Sequence, residues 1–246
     1  MKFDKYATIS ADYHYRQTDK HSFRNFNASV YARFKKTAQI VSDLIKEGER
    51  VGTLRILDVG CGDGVAISFM RKHLNPDVRL YGAEPDEEAL EVAKKRNPQA
   101  HFVQADAESL PFEDNYFDLV ISTDVIEHVN DPGKMLAEIR RVAKLGADIV
   151  ISTPIRRAKN PVDPQHVQEF FQEDFLSLIE SHFNRCVLKE SHNLIPTLLY
   201  NYPTRTFLNF RYAINALAIF LNINPFLSER SNKAQIFSYM YAICKK

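Results

Sequence analysis

The stretch Ile56-Leu57-Asp58-Val59-Gly60-Cys61-Gly62-Asp63-Gly64 decides the fold. Apolar residues and an acid end a strand, and three glycines then alternate along the chain before an apolar helix begins at Val65. Glycine lets the backbone enter positive φ and lets a ligand approach main-chain atoms with no Cβ in the way. Amides at the start of the next helix face the same space. Strand, glycine turn and helix together predict a nucleotide-type pocket. A dinucleotide site needs Gly-x-Gly-x-x-Gly, but here the third glycine comes one residue early and Val65 stands where that pattern wants Gly or Ala. No Gly-Lys-Ser/Thr follows, which excludes a P-loop.

Working outward, Val78-Arg79-Leu80-Tyr81-Gly82-Ala83 reads as a second buried strand with Glu84 at its end. A carboxylate at that place can accept from both hydroxyls of a ribose, or it can cap the next helix. Asp86 is the better cap, because Glu87 and Glu88 fill the first turn and Lys94-Lys95-Arg96 the last. Glu84 is thereby left for a ligand. A third strand, His101 to Ala105, delivers Asp106 into Asp106-Ala107-Glu108-Ser109-Leu110-Pro111-Phe112, and a fourth, Phe117 to Ser122, runs into Thr123-Asp124-Val125-Ile126-Glu127-His128-Val129. Asp106 alone reads equally well as the acid of an Asx-turn.

In this order the four segments resemble the motifs of the class I S-adenosylmethionine-dependent methyltransferases. The fourth is similar to that of the small-molecule branch (methyltransferase type 11), which includes ubiquinone-biosynthesis O-methyltransferases. The resemblance covers roughly the first two-thirds of the chain. It implies S-adenosylmethionine as cofactor, with Asp58, Gly60, Cys61, Gly62 and Gly64 at its amino-acid end, Glu84 and Pro85 at the ribose, and Asp106 and Ala107 at the adenine. Thr123 closes the pocket. The leader is implied to fold over the cofactor, with Arg33, and Arg16 behind it, as candidates to meet the methionine carboxylate.

Methyl transfer from a sulfonium needs alignment and, for a hydroxyl acceptor, removal of a proton. The base belongs near the end of the fourth strand, where Asp124, Glu127 and His128 stand at i, i+3 and i+4. If the chain turns helical at Thr123, all three share one face, and His166 can add a fourth ligand to a divalent metal. Resembling ubiquinone-type and small-RNA 2′-O-methyltransferases carry an acid-x-x-Glu-His run that binds magnesium, with Glu where this chain has Asp124. Three roles stay open for this run: a metal site, His128 as a lone general base, and a Glu127–His128 pair that only holds the loop.

The remaining pattern alternates strand and helix from Thr53 to about Thr153, which predicts a parallel sheet covered on both faces. Asp131-Pro132 starts a helix with a stripe of Met135, Leu136, Ile139, Val142 and Ala143, and Gly146 ends it before a strand from Ala147 to Thr153. A helix near Glu173 to His182 and a strand at Arg185 to Ser191 follow the Pro-rich loop Ile155 to Pro164. The fold class is therefore α/β, a doubly wound, mostly parallel sheet with helical additions. The resemblance adds a count of seven strands, with the last, Ile236 to Cys244, antiparallel.

Residues 1–50 form a helical cap, with Tyr31, Phe34, Ala38, Val41 and Ile45 at helical spacing. The methyltransferase domain takes 51–192 and 236–246, and 193–235 is an apolar insertion. Within it, Thr204 to Leu221 is apolar on nearly every side and must be buried against something. Its roles are core or dimer contact, a substrate lid, or a membrane-surface contact suited by Arg205 and Arg211.

With 32 Lys+Arg against 31 Asp+Glu in 246 residues, nothing pulls the chain toward nucleic acid. Three cysteines make no framework of paired bridges, and the start Met1-Lys2-Phe3-Asp4-Lys5 lacks a signal peptide's apolar run, so a soluble, cytoplasmic protein is expected. The expected function is methyl transfer to a small molecule. Oxygen is the favoured acceptor atom, because acid and imidazole line the site and no Asn-Pro-Pro-Tyr-type run follows the fourth strand. The apolar insertion hints at a hydrophobic, lipid- or sugar-linked acceptor. The alternatives are a non-catalytic cofactor-binding scaffold and, less favoured, a nicotinamide oxidoreductase.

Overall fold

The computed structural model describes residues 10–48, 52–75, 77–156, 165–193, 200, 210–227 and 237–246. Two helices, α1 (Tyr13–Thr18) and α2 (Ala28–Glu47), precede the sheet. The chain then runs through β1 (Arg55–Val59), α3 (Val65–His73), β2 (Arg79–Glu84), α4 (Glu87–Arg96), β3 (His101–Gln104) and β4 (Phe117–Thr123). It continues with α5 (Pro132–Val142), β5 (Ala143–Pro154), α6 (Gln172–Glu180), β6 (Asn184–Asn193), α7 (Phe210–Phe220), a 3-10 turn at Pro225–Leu227, and β7 (Phe237–Lys245).

The seven strands lie in the order β3-β2-β1-β4-β5-β7-β6. β1 to β5 are parallel, and β7 runs antiparallel between β5 and β6, the antiparallel last strand that the resemblance implies. Successive strand residues point to opposite faces, so a continuous apolar run marks burial on both. Ile56 accordingly packs with Phe34, Val41, Ile67 and Met70, whereas Leu57 packs with Met135, Ile139 and Phe175 on the other side. Strand order reverses between β1 and β4, which leaves a crevice at the carboxyl ends of those strands. The predicted caps hold. Asp86 Oδ1 accepts from Ala89 N–H at 2.8 Å, and Asp131 Oδ1 accepts from Lys134 N–H at 3.0 Å with Pro132 opening α5.

Three expectations are corrected. The helix expected to reach Gly146 ends at Val142, because Ala143 already pairs with Phe117 across the sheet. Tertiary pairing overrides the local helical pattern there, and the residues between Ala143 and Asp148 form a bulge in which Gly146 takes φ +75°. Second, Cys186 and Cys244 form a disulfide across β6 and β7, whose register sets Val187 opposite Ile243. Spacing alone could not reveal the pair, since 58 residues separate them in sequence. Third, α7 is not buried all round, and Phe210, Leu217 and Phe220 are exposed. Residues 204–209, Arg205 among them, residues 157–164 and Ile236 lie outside the described residues.

Gly64 shows what holds the turn in register. It takes φ +75° at the N-cap of α3, and a Cβ on it would lie 2.8 Å from Asn97 Nδ2 and 3.0 Å from Ala93 Cβ. Gly64→Ala therefore combines left-handed strain with overlap between α3 and α4, and should cost about 1–3 kcal/mol of stability. Equilibrium urea denaturation measures this, and an unchanged midpoint would show that α4 yields freely.

Candidate cofactor and catalytic site

A cavity of about 530 Å³ occupies the crevice at the carboxyl ends of β1, β2 and β4. Nine of the eleven residues expected at the cofactor line it: Asp58, Gly60, Cys61, Gly62, Glu84, Pro85, Asp106, Ala107 and Thr123. Gly64 and Arg33 do not. Gly64 serves the packing just described. Arg33 forms an ion pair through Nη1 with Asp124 Oδ2 and lies over the Tyr239 ring at 5.5 Å. Arg16 pairs with Asp12 on the surface.

Asp58 is the most telling group in the cavity. It is 1% exposed, and neither carboxylate oxygen has a hydrogen-bond partner among the described residues. Burial first, and the Glu84 charge second, hold its pKa well above the ordinary carboxylate range. A buried polar group without a partner is costly unless a ligand completes it. An ammonium, such as the amino-acid end of S-adenosylmethionine offers, is a fitting complement. Glu84 stands at the end of β2, its Oε2 accepting from Gly62 N–H at 2.9 Å and Oε1 from Asp86 N–H at 3.2 Å. Gly60 takes φ +74°, and a Cβ there would meet Val125 Cγ2 at 2.3 Å, so its missing side chain lets the loop after β4 close over the turn. Burial pushes the Cys61 thiol well up, helped by the charges of Asp58, Glu84 and Asp63, which keeps it an unreactive thiol.

Asp63 is a functional residue that sequence reasoning passed over. It is fully buried, and its Oδ2 accepts from Tyr15 N–H at 2.8 Å, which ties α1 to the glycine turn. His14 and Phe34 consequently line the cavity, as a leader folded over the cofactor requires. Burial raises the Asp63 pKa to about 6 against the Tyr15 bond that lowers it. The loop after β3 is held from several sides. Glu108 Oε1 accepts from the amides of Asn130 and Asp131 at 3.1 Å each, Glu138 accepts from Leu110 N–H, and Arg141 donates to the carbonyls of Leu110 and Phe112. Asp106 itself forms the predicted Asx-turn, Oδ1 accepting from Glu108 N–H at 2.9 Å, while still lining the cavity.

The loop after β4 departs from its expected form. Asp124 takes φ +59°, and residues 126–128 make a turn, not a helix. The expected common face of Asp124, Glu127 and His128 is therefore broken, and Asp124 goes to Arg33. Glu127, His128 and His166 do come together, with one ligand atom from each within 4.8 Å of the others. Glu127 is buried and accepts from Thr153 Oγ1 at 3.0 Å. His128 Nδ1 donates to the Gln165 carbonyl at 3.0 Å, and His166 Nδ1 lies 2.8 Å from Glu169 Oε1. Of these three, His128 lines the cavity, together with Val125, Val129 and Asn130 from the same loop. One carboxylate and two imidazoles do not fit magnesium, which takes oxygen ligands.

The buried acids predict a pH dependence. Between the ordinary carboxylate pKa and about 6, folded Asp63 keeps a proton that the unfolded chain has released. Stability of the ligand-free protein should fall as pH rises through that window, and Asp58 acts in the same direction. Asp58→Asn removes part of this loss, so its Tm at neutral pH should exceed that of the wild type. The same change should weaken S-adenosylmethionine by about 10- to 100-fold in calorimetry, the worth of a hydrogen bond to a charged group. Unaltered affinity would mean that the Asp58 carboxylate does not meet the cofactor.

Comparison with known proteins agrees with this geometry. The family described as "Methyltransferase domain" matches residues 57–151. An uncharacterized methyltransferase of Mycobacterium marinum is 32% identical over 161 residues, 61% of this chain and 60% of that protein. A demethylmenaquinone methyltransferase of Renibacterium salmoninarum is 35% identical over 98 residues, 40% of each chain. The chain thus spans 40–60% of the length of these two relatives. A solved Thermotoga maritima S-adenosylmethionine-dependent methyltransferase, described as a possible histamine N-methyltransferase, superposes with a TM-score of 0.55. At 19% identity over 88% of this chain and 94% of that one, it speaks for the fold alone. With the glycine turn, the buried carboxylates and the strand order in place, residues 57–151 match a methyltransferase domain.

Proposed function

We propose that the protein transfers a methyl group from S-adenosylmethionine to an oxygen of a small, apolar acceptor. The observation that carries this reading is the unpartnered Asp58 carboxylate in the same cavity as the His128 imidazole. The first suits the cofactor's ammonium, and the second suits removal of a proton from the acceptor. The cofactor supplies an activated methyl group whose leaving sulfur departs neutral. The protein has then to orient the acceptor, exclude water and take up the hydroxyl proton. Because His128 Nδ1 donates to the Gln165 carbonyl, its Nε2 carries the lone pair that receives a proton. Val125 and Val129 offer the acceptor an apolar wall beside that imidazole. A relative named for demethylmenaquinone supports a small-molecule acceptor.

His128→Ala should reduce turnover by about 10²- to 10⁴-fold, the range for loss of a general base, while S-adenosylmethionine binding in calorimetry stays unchanged. Labelled cofactor with host extract and mass spectrometry identifies the acceptor for that assay. Full turnover by the variant would remove His128 as the base.

A second reading rests on the gathering of Glu127, His128 and His166. Two imidazoles, with His166 braced at Nδ1 by Glu169, suit a nitrogen-preferring divalent ion such as zinc. Metal analysis of the purified protein and of His166→Ala decides it. One equivalent in the wild type and none in the variant supports a metal, whereas no metal in either, with activity intact under chelation, rejects one.

A further inference from the structure

The helix α7 packs one side on the rest of the chain, where Ala218, Ile214 and Ile219 join a small apolar cluster, and leaves other apolar side chains outside. Its one amide side chain, Asn215, is 1% exposed and faces inward. There it donates to the Phe26 carbonyl at 2.6 Å, accepts from Ala28 N–H at 3.1 Å and accepts from Tyr200 Oη at 2.8 Å. These bonds fasten α7 across the start of α2, next to the buried Phe26, Ala28 and Ala32. Placing residues at 100° steps, the arc opposite Asn215 carries Phe210, Ala213, Leu217, Phe220 and Leu221, with no polar group among them. Phe220 is 76% exposed and Leu221 62%. The patch extends past the helix. Asn222 takes φ +54° and Ile223 N–H bonds back to the Leu217 carbonyl at 3.1 Å, leaving Ile223 57% exposed. At the other side Phe23 stacks on Tyr212 at 5.9 Å.

Water is a poor partner for a continuous apolar surface of this kind, and such surfaces mark interaction sites. The surrounding charges say which kind. Residues 210–227 contain Arg211 and no acid. Arg24 and His21 are exposed on either side of Phe23, and Lys20 Nζ lies 3.4 Å from the Ala218 carbonyl and 3.3 Å from Asn222 Oδ1 at the far end of α7. One acid, Asp19, stands beside them, accepting from the His21 amide at 2.9 Å, and it is outnumbered by Lys20, Arg24 and Arg211. An apolar face rimmed by cations complements an anionic bilayer interface, where aromatic and aliphatic side chains enter the acyl boundary and basic ones meet headgroups.

We propose that α7, with Phe23 and Ile223, docks this protein on anionic lipid surfaces. The surface is separate from the cavity, because no described residue of α7 lines it. The proposal therefore stands apart from the identity of the methyl acceptor.

The test is co-sedimentation of the full chain with vesicles of phosphatidylcholine alone and of phosphatidylcholine with phosphatidylserine. The wild type should pellet with the anionic vesicles and be released by salt. The double variant Phe220→Asp/Leu221→Asp should bind at least about tenfold more weakly, with circular dichroism and S-adenosylmethionine affinity unchanged as evidence that it folds. Lys20→Glu/Arg24→Glu should lose the preference for phosphatidylserine. Failure of the wild type to pellet with either vesicle, or binding indifferent to the aspartates, overturns the proposal. So does a lipid-free dimer in sedimentation velocity that the aspartates dissociate, because a second copy would then be what covers the face.

Discussion

Around one glycine turn the chain buries Asp58, Asp63 and Glu84, and the cost of holding carboxylates away from water sets the terms for everything nearby. Carboxylates in a water-poor space resist ionisation and lack the counter-charge that would settle them. Each is handled differently. Glu84 is satisfied by two backbone amides of its own strand end and of the glycine turn. Asp63 accepts at Oδ2 from an amide of α1, which brings the leader over the cavity. Asp58 is left without a partner, so the site is complete only when something cationic arrives. Loss of stability in the empty protein is thereby converted into affinity for a ligand of the right charge, a common trade at binding sites.

The positions of Asp58 and Glu84, though not of Asp63, were legible in the sequence because strand ends and caps are local features. Glu84 and Asp86, two residues apart, could be told apart from the charges of α4 alone: Asp86 caps α4 as expected, while Glu84 accepts from the amides of Gly62 and Asp86. What escaped was decided across the fold. Asp124 looked like a member of a helical i, i+3, i+4 set, yet its left-handed backbone aims it elsewhere, to Arg33, 91 positions earlier. No window around either residue holds that information. The end of α5 failed for the same reason, since its stripe continued smoothly into Ala143 while a strand pairing claimed that residue.

The apolar insertion was legible only in part. A segment apolar on nearly every side left core, dimer, lid and membrane contact open, and the described residues pack one side of α7 on the chain's own core. Asn215 was the available signal. An amide in such a helix is expected to be buried and bonded when the surrounding faces are not, and it is Asn215 that fastens α7 to α2. The helix is held by Asn215 together with Ala218, Ile214 and Ile219, which pack in a small apolar cluster, and it still presents apolar side chains outward.

The place of β7 carries a consequence for how the molecule assembles. β6 touches the sheet only through β7, which lies between it and β5. Until β7 has been synthesised and has paired with β5, β6 has no backbone partner, and Cys186 has no Cys244 to meet. The five parallel strands can form from successive neighbours by right-handed crossovers. Adding the remaining two, β7 and β6, is a long-range event that waits for a later segment, and loops of that length slow folding. In kinetic terms the chain is asymmetric: the cofactor part of the sheet is ready early, and the β6 edge is sealed last.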